Sequence, residues 1–115
     1  MSGESGKDVL PRLIELIEER KRLRPEGSYV VSLLDGGVDA IAAKVREEAD
    51  ELIEAAAAAD TAHTAHEAAD LLFHVCVLLS HAGVSLDDVL AVLESRFGIG
   101  GFEEKASRDK NRENG

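Results

Sequence analysis

Three observations predict an all-α fold, a bundle of four to five helices. Apolar residues recur at spacings of three and four through every long segment, no segment alternates with period two over a strand's length, and aromatic residues make up only 3% of the chain. A core without large aromatics must be built from Ala, Leu, Val and Ile in close contact, which favours helices over a sandwich or barrel. At 115 residues the chain suits a single domain, residues 1–115. A domain of this size buries about two-thirds of its unfolded surface, a modest core that a partner could complete.

Residues 1–7 read as a flexible polar leader. Asp8 can then cap a helix that carries Val9, Leu10, Leu13, Ile14, Leu16 and Ile17, with Pro11 tolerated in its first turn and Arg20, Lys21 and Arg22 suited to its negative end. Arg24-Pro25-Glu26-Gly27 is a break, after which Ser28 can cap a short helix through Leu34 that stops at Gly36-Gly37. From Val38 to Ala59 the residues Ile41, Val45, Ala49, Leu52, Ile53 and Ala56 make the stripe of a long amphipathic helix. The next helix begins near Thr61 or Thr64, where Thr64 and Glu67 have capping-box spacing, and runs to Gly83 as C-cap. Ser85, with Asp87 and Asp88, opens a last helix to Phe97 that Gly98, Gly100 and Gly101 end. Residues 98–115 form a charged tail.

The net charge of -10, from 23 acidic against 13 basic residues, repels nucleic acid and anionic membrane surfaces. A single cysteine, Cys76, lies in an apolar run and reads as a buried small hydrophobe in a reducing compartment. With neither a signal peptide nor a long apolar span, the expected location is the cytoplasm.

Two acidic rows call for an explanation. Glu47, Glu48 and Glu51 fall within one helical turn, and each like-charge pair at such spacing costs roughly 0.2–0.5 kcal/mol. Glu48 also lies on the apolar stripe with Ile41, Val45 and Leu52, so it is expected to point toward the core. Asp50 and Glu54 read as solvated surface charges. On the following helix Glu67, Asp70 and His74 form one row set into an apolar surface, and a buried acid there requires a partner. No Lys or Arg occurs between Arg46 and Arg96. Pairing of Asp70 across helices with Lys44, Arg46 or Arg96 is one answer. The other is a hard ion, Mg²⁺ or Mn²⁺, held by oxygen ligands from two adjacent antiparallel helices. Five carboxylates in two rows suit more than one ion, and the ten alanines from Ala49 to Ala69 would let the helices approach.

His66-Glu67-Ala68-Ala69-Asp70 has the shape of a zinc-hydrolase motif with Asp for the second His, but that reading leaves Glu47, Glu48 and Glu51 unexplained. His63 and His66 read as polar first-turn residues. His74 reads as a satisfied core or supporting histidine rather than a ligand. No glycine-rich phosphate loop is present, so phosphate would be held by metal and by scattered Lys and Arg.

The ordered set Glu47-Glu48-x-x-Glu51 and Glu67-x-x-Asp70 resembles the signature of the all-α nucleotide pyrophosphatases of the MazG type. Ser28-Tyr29, Leu33-Leu34, Lys44-Val45-x-Glu47-Glu48-Ala49-x-Glu51, Glu67-Ala68-Ala69-Asp70-Leu71-Leu72-Phe73-His74 and the ending Arg96-Phe97-Gly98-Ile99-x-Gly101 with Glu104 to Arg108 resemble, more specifically, the phosphoribosyl-ATP pyrophosphohydrolases. The resemblance implies Mg²⁺-dependent hydrolysis between the α and β phosphates of phosphoribosyl-ATP, the second step of histidine biosynthesis, by a homodimer. Carried over by position, Glu47, Glu48, Glu51 and Asp70 would hold Mg²⁺, with Glu67 a further ligand or water-orienting base. Lys44, Arg96, Lys105 and Arg108 would be candidates for phosphate contacts, against the plainer reading of solvated surface charge. Arg46, Val30 and Ala57 stand where Gly, Thr and Lys are common in the family, so some substrate-side contacts are expected to differ. A general dNTP pyrophosphatase would share the acidic motifs without needing Ser28-Tyr29. A non-catalytic helical dimerisation module would need neither.

Overall fold

The computed structural model describes residues 5–98, with side chains from residue 8 onward. Every regular element among them is helical: α1 (Ser5–Leu23), α2 (Tyr29–Ala57), α3 (Thr61–Ala82) and α4 (Leu86–Ser95). Two compact units divide after Val84. The first holds α1 to α3, and the second holds α4.

Helix α1 begins earlier than the sequence suggests. Asp8 does not cap it but lies inside its first turn, where its charge complements the positive end, and residues 5–7 are already helical rather than part of a leader. Pro11 consequently falls in the second turn. The predicted basic residues Arg20, Lys21 and Arg22 do occupy the last turn.

Ser28 caps α2 by accepting from the Val31 amide at 3.3 Å. The expected stop at the glycine pair appears as a break inside α2, because Gly37 adopts φ 73° and ψ -166°, a conformation open essentially to glycine alone. A short and a long helix therefore abut there, and the described residues form four helices, or five if α2 is divided at Gly37. The long part ends at Ala57, two residues before the expected Ala59.

Asp60 caps α3 by accepting from His63 N at 3.1 Å. The Thr64–Glu67 capping box is not formed. Thr64 instead lies a full turn inside and donates to the Asp60 carbonyl, while Glu67 is turned into the protein. Gly83, at φ 76°, ends α3 in the left-handed conformation. In the second unit Ser85 and Asp88 form a reciprocal capping box, and α4 closes at Ser95 with Arg96 as its C-cap, short of Phe97 and the glycines.

The core of the first unit gathers Ile17 from α1, Val30, Leu33 and Ile41 from α2, and Cys76 and Val77 from α3. Helix α2 packs most extensively on α3, and α1 covers both. Lys21 Nζ reaches the Ser80 carbonyl at 2.9 Å while the Ser80 hydroxyl donates to Glu18 at 2.6 Å, so polar contacts fix α1 onto α3 beside the apolar ones. Among the described residues no single helix is long and apolar enough to cross a membrane.

Candidate active site

The α2–α3 pair sets the geometry. Glu48 meets His74 and Glu51 meets Glu67, so rising numbers on α2 face falling numbers on α3, as two antiparallel helices require. The small Ala49, Ala55 and Ala68 lie partly or fully buried along this pair, consistent with the close approach that alanine permits.

Glu48 is 7% exposed, as its place on the apolar stripe predicts. Its Oε1 lies 2.5 Å from His74 Nδ1, which is also 3.0 Å from the Asp70 carbonyl oxygen. The far nitrogen, His74 Nε2, is 2.7 Å from the Tyr29 hydroxyl. Both neighbours of Nδ1 are acceptors, so Nδ1 carries the hydrogen and Nε2 is left to accept from Tyr29. The rings are further located by Phe73, which stacks on Tyr29 at 6.1 Å and meets the edge of His74 at 5.0 Å. His74 is thus buried with both ring nitrogens hydrogen-bonded, the satisfied core histidine that the sequence suggested.

Glu67 is 6% exposed. Its Oε2 lies 3.0 Å from His63 Nε2, while its Oε1 is buried with no hydrogen-bond partner. Opposite it, Glu51 has a pKa raised above the usual carboxylate value, first through its side-chain contact with Glu67, then through desolvation and the charges of Glu67, Glu47 and Glu48. Two carboxylates facing each other across a helix interface favour a proton or cation between them.

Glu47 is exposed, and its Oε2 lies 3.7 Å from Lys44 Nζ. That carboxylate is the main cause of the raised Lys44 pKa, which keeps the amine charged. Asp70 departs from expectation: its side chain is 44% exposed rather than buried, and its neighbour is His66 at 3.5 Å instead of a Lys or Arg on another helix. The zinc-hydrolase arrangement does not form, since Glu67 turns inward while His66 is largely exposed. Among the described residues no group of three or more His, Cys, Asp or Glu side chains is placed to hold a metal ion as it stands. Arg96 belongs to the second unit, and Lys105 and Arg108 lie outside the described residues. An open hollow of about 540 Å³ along α1, lined by both signs of charge from Arg12, Glu15, Glu19 and Arg22, contains none of the predicted site residues.

Sequence spacing alone does not mark Tyr29 and His63 as site residues. An i, i+4 spacing to Glu67 was the available signal for His63. Tyr29 had none beyond its place in the Ser28-Tyr29 motif, because its partner is 45 residues away.

Comparison with known proteins bears on the same residues. The family model for phosphoribosyl-ATP pyrophosphohydrolase matches residues 10–97. The chain belongs to the phosphoribosyl-ATP pyrophosphohydrolase family. A phosphoribosyl-ATP pyrophosphatase of Methylococcus capsulatus is 50% identical over 101 residues, covering 88% of this chain and 96% of the relative. One from Rhodopirellula baltica is 47% identical over 109 residues (92% and 91%), and one from Geobacter sulfurreducens is 45% identical over 103 residues (90% and 95%). The match spans the whole of α2 and α3, and so all five carboxylates.

Proposed function

We propose that this chain hydrolyses phosphoribosyl-ATP to phosphoribosyl-AMP and pyrophosphate in histidine biosynthesis, as a cytoplasmic homodimer that uses Mg²⁺. Family membership over nearly the whole chain supports the reaction. The observation that carries the site is the meeting of Glu51 and Glu67 across α2 and α3, with Glu67 Oε1 buried and unpartnered.

A buried carboxylate oxygen without a donor costs on the order of 1–3 kcal/mol or more, and a hard cation would remove that penalty. The all-oxygen set of Glu47, Glu48, Glu51, Glu67 and Asp70 suits Mg²⁺ or Mn²⁺ chemically. When bound, such an ion supplies charge neutralisation of the triphosphate and an acidified water. Glu51 and Glu67 would hold it at the helix interface, Glu48 from the buried side and Glu47 and Asp70 from the solvent side. Lys44, kept charged at the exposed edge, is a candidate contact for a phosphate oxygen, as are Arg96, Lys105 and Arg108 by resemblance. In the homodimer that the resemblance implies, Ile53 and Leu72, apolar residues of α2 and α3 that are 65% and 53% exposed, would be available for burial against the second copy.

Pyrophosphate release with Mg²⁺ tests the activity, comparing phosphoribosyl-ATP with the four dNTPs at equal concentration. Release from phosphoribosyl-ATP alone is expected. Comparable release from dNTPs would indicate a general nucleotide pyrophosphatase. A melting temperature raised by Mg²⁺ or Mn²⁺ is expected from binding to the folded state alone, and an unchanged one would count against the metal site.

A further inference from the structure

The hydrogen-bonded chain from Tyr29 through His74 to Glu48 does something that packing alone does not require. It runs from the hydroxyl of the half-exposed Tyr29 at the start of α2, through a buried imidazole on α3, to a buried carboxylate back on α2. Three groups from two helices are thereby tied into one orientation. Apolar side chains would fill the same space without fixing the direction of any oxygen.

We infer that His74 and Tyr29 are positioning residues, which hold Glu48 with Oε1 engaged so that only its Oε2 is offered to a divalent cation. The inference rests on the reading of Glu48 as a cation ligand. Three features carry it. His74 Nδ1 is the hydrogen-bond partner of Glu48 Oε1, and the same Nδ1 contacts the Asp70 carbonyl, which pins the ring to the turn that bears another proposed ligand. The Tyr29 hydroxyl donates to Nε2, which reinforces the tautomer that the two acceptors at Nδ1 already select, with Nδ1 presenting its hydrogen to the carboxylate. Phe73 and Tyr29 restrict the ring plane from its sides. Supporting contacts of this type fix the orientation and basicity of a ligand, and removing one typically weakens metal affinity by about 10–100-fold.

The two halves of the imidazole can be replaced separately. In His74→Asn the amide nitrogen can occupy the place of Nδ1 and still donate to Glu48, whereas in His74→Gln the amide reaches the place of Nε2 and leaves Oε1 without its donor. Mn²⁺ binding to the full-length protein without substrate is read from the electron paramagnetic resonance signal of free Mn²⁺. We expect His74→Gln to weaken binding about tenfold or more, His74→Asn to lie close to the parent, and Tyr29→Phe to weaken it several-fold. Equal binding by Asn and Gln variants, whether both unchanged or both weakened alike, would reduce His74 to a packing residue and overturn the inference. Glu48→Gln separates the two levels: if it loses Mn²⁺ while the His74 variants match each other, the positioning role fails and the ligand reading stands. If Glu48→Gln binds like the parent, both fall. Folding of each variant is checked by its metal-free melting curve. Should the His74 variants not fold, Tyr29→Phe decides alone, with weakened binding in support and unchanged binding against.

Discussion

Glu51 on α2 and Glu67 on α3 press their carboxylates toward one another, and Glu67 retains a buried oxygen with no hydrogen-bond donor. Such an arrangement favours function over stability. In Glu67→Gln an amide can donate to Glu51, so the metal-free protein is expected to gain about 1 kcal/mol. Turnover is expected to fall on the order of a hundredfold or more. Thermal melts in EDTA and pyrophosphate-release assays test both. A destabilised, fully active variant would remove Glu67 from the site.

Asp70 allows a cleaner separation of folding from chemistry. Its side chain is 44% exposed, and its neighbour is a still more exposed His66 at 3.5 Å. An Asp70→Asn change should therefore leave stability within about 0.5 kcal/mol of the parent. Activity should fall about a hundredfold or more if Asp70 serves the reaction. An unchanged rate would make it an ordinary surface acid.

These two acids show what could be read from sequence. Helical periodicity placed Glu48 on a buried face because burial there follows from neighbours three and four residues away. Capping and turn residues mark the glycine break and the Ser28, Gly83 and Ser85 caps, since each is likewise set by local chain geometry. The meeting of Glu51 with Glu67 and of Tyr29 with His74 depends on how α2 lies along α3, which no local spacing encodes. Asp70 was expected to be buried because its row is apolar on both sides. It lies instead at the rim of the interface, while Glu67, one turn earlier, takes the interior.

Gly37 carries the break in α2. Its φ of 73° with ψ near -166° is costly for any residue with a Cβ, although the space around it is open. Gly37→Ala is expected to destabilise the protein by about 1–3 kcal/mol. Gly98, which also has open space but no positive φ, provides the control, and Gly98→Ala should be nearly neutral. Urea denaturation of both distinguishes backbone strain from the loss of a glycine as such.

The start of α3 tests the reassigned cap. Asp60→Ala removes the acceptor for His63 N and is expected to cost about 1 kcal/mol, within a range of about 0.5–2. Thr64→Ala removes only a hydroxyl bond to the carbonyl one turn back and should cost less. The opposite order in denaturant melts would restore the Thr64–Glu67 capping box.

Cys76 is buried in the core, and burial raises its thiol pKa above the ordinary 9.0. The folded protein should therefore react with a disulfide reagent far more slowly at neutral pH than the same chain in urea, where the thiol is exposed. The linkage has a definite sign. Because the folded state holds the thiol proton more tightly than the unfolded state, the stability it contributes is complete below about 9 and declines as pH rises through the raised value. Replacing Cys76 with Ala should remove that part of the alkaline decline while lowering stability at all pH values through the space it leaves. If the slopes of stability against pH above 9 match for parent and variant, the loss at high pH originates in other groups.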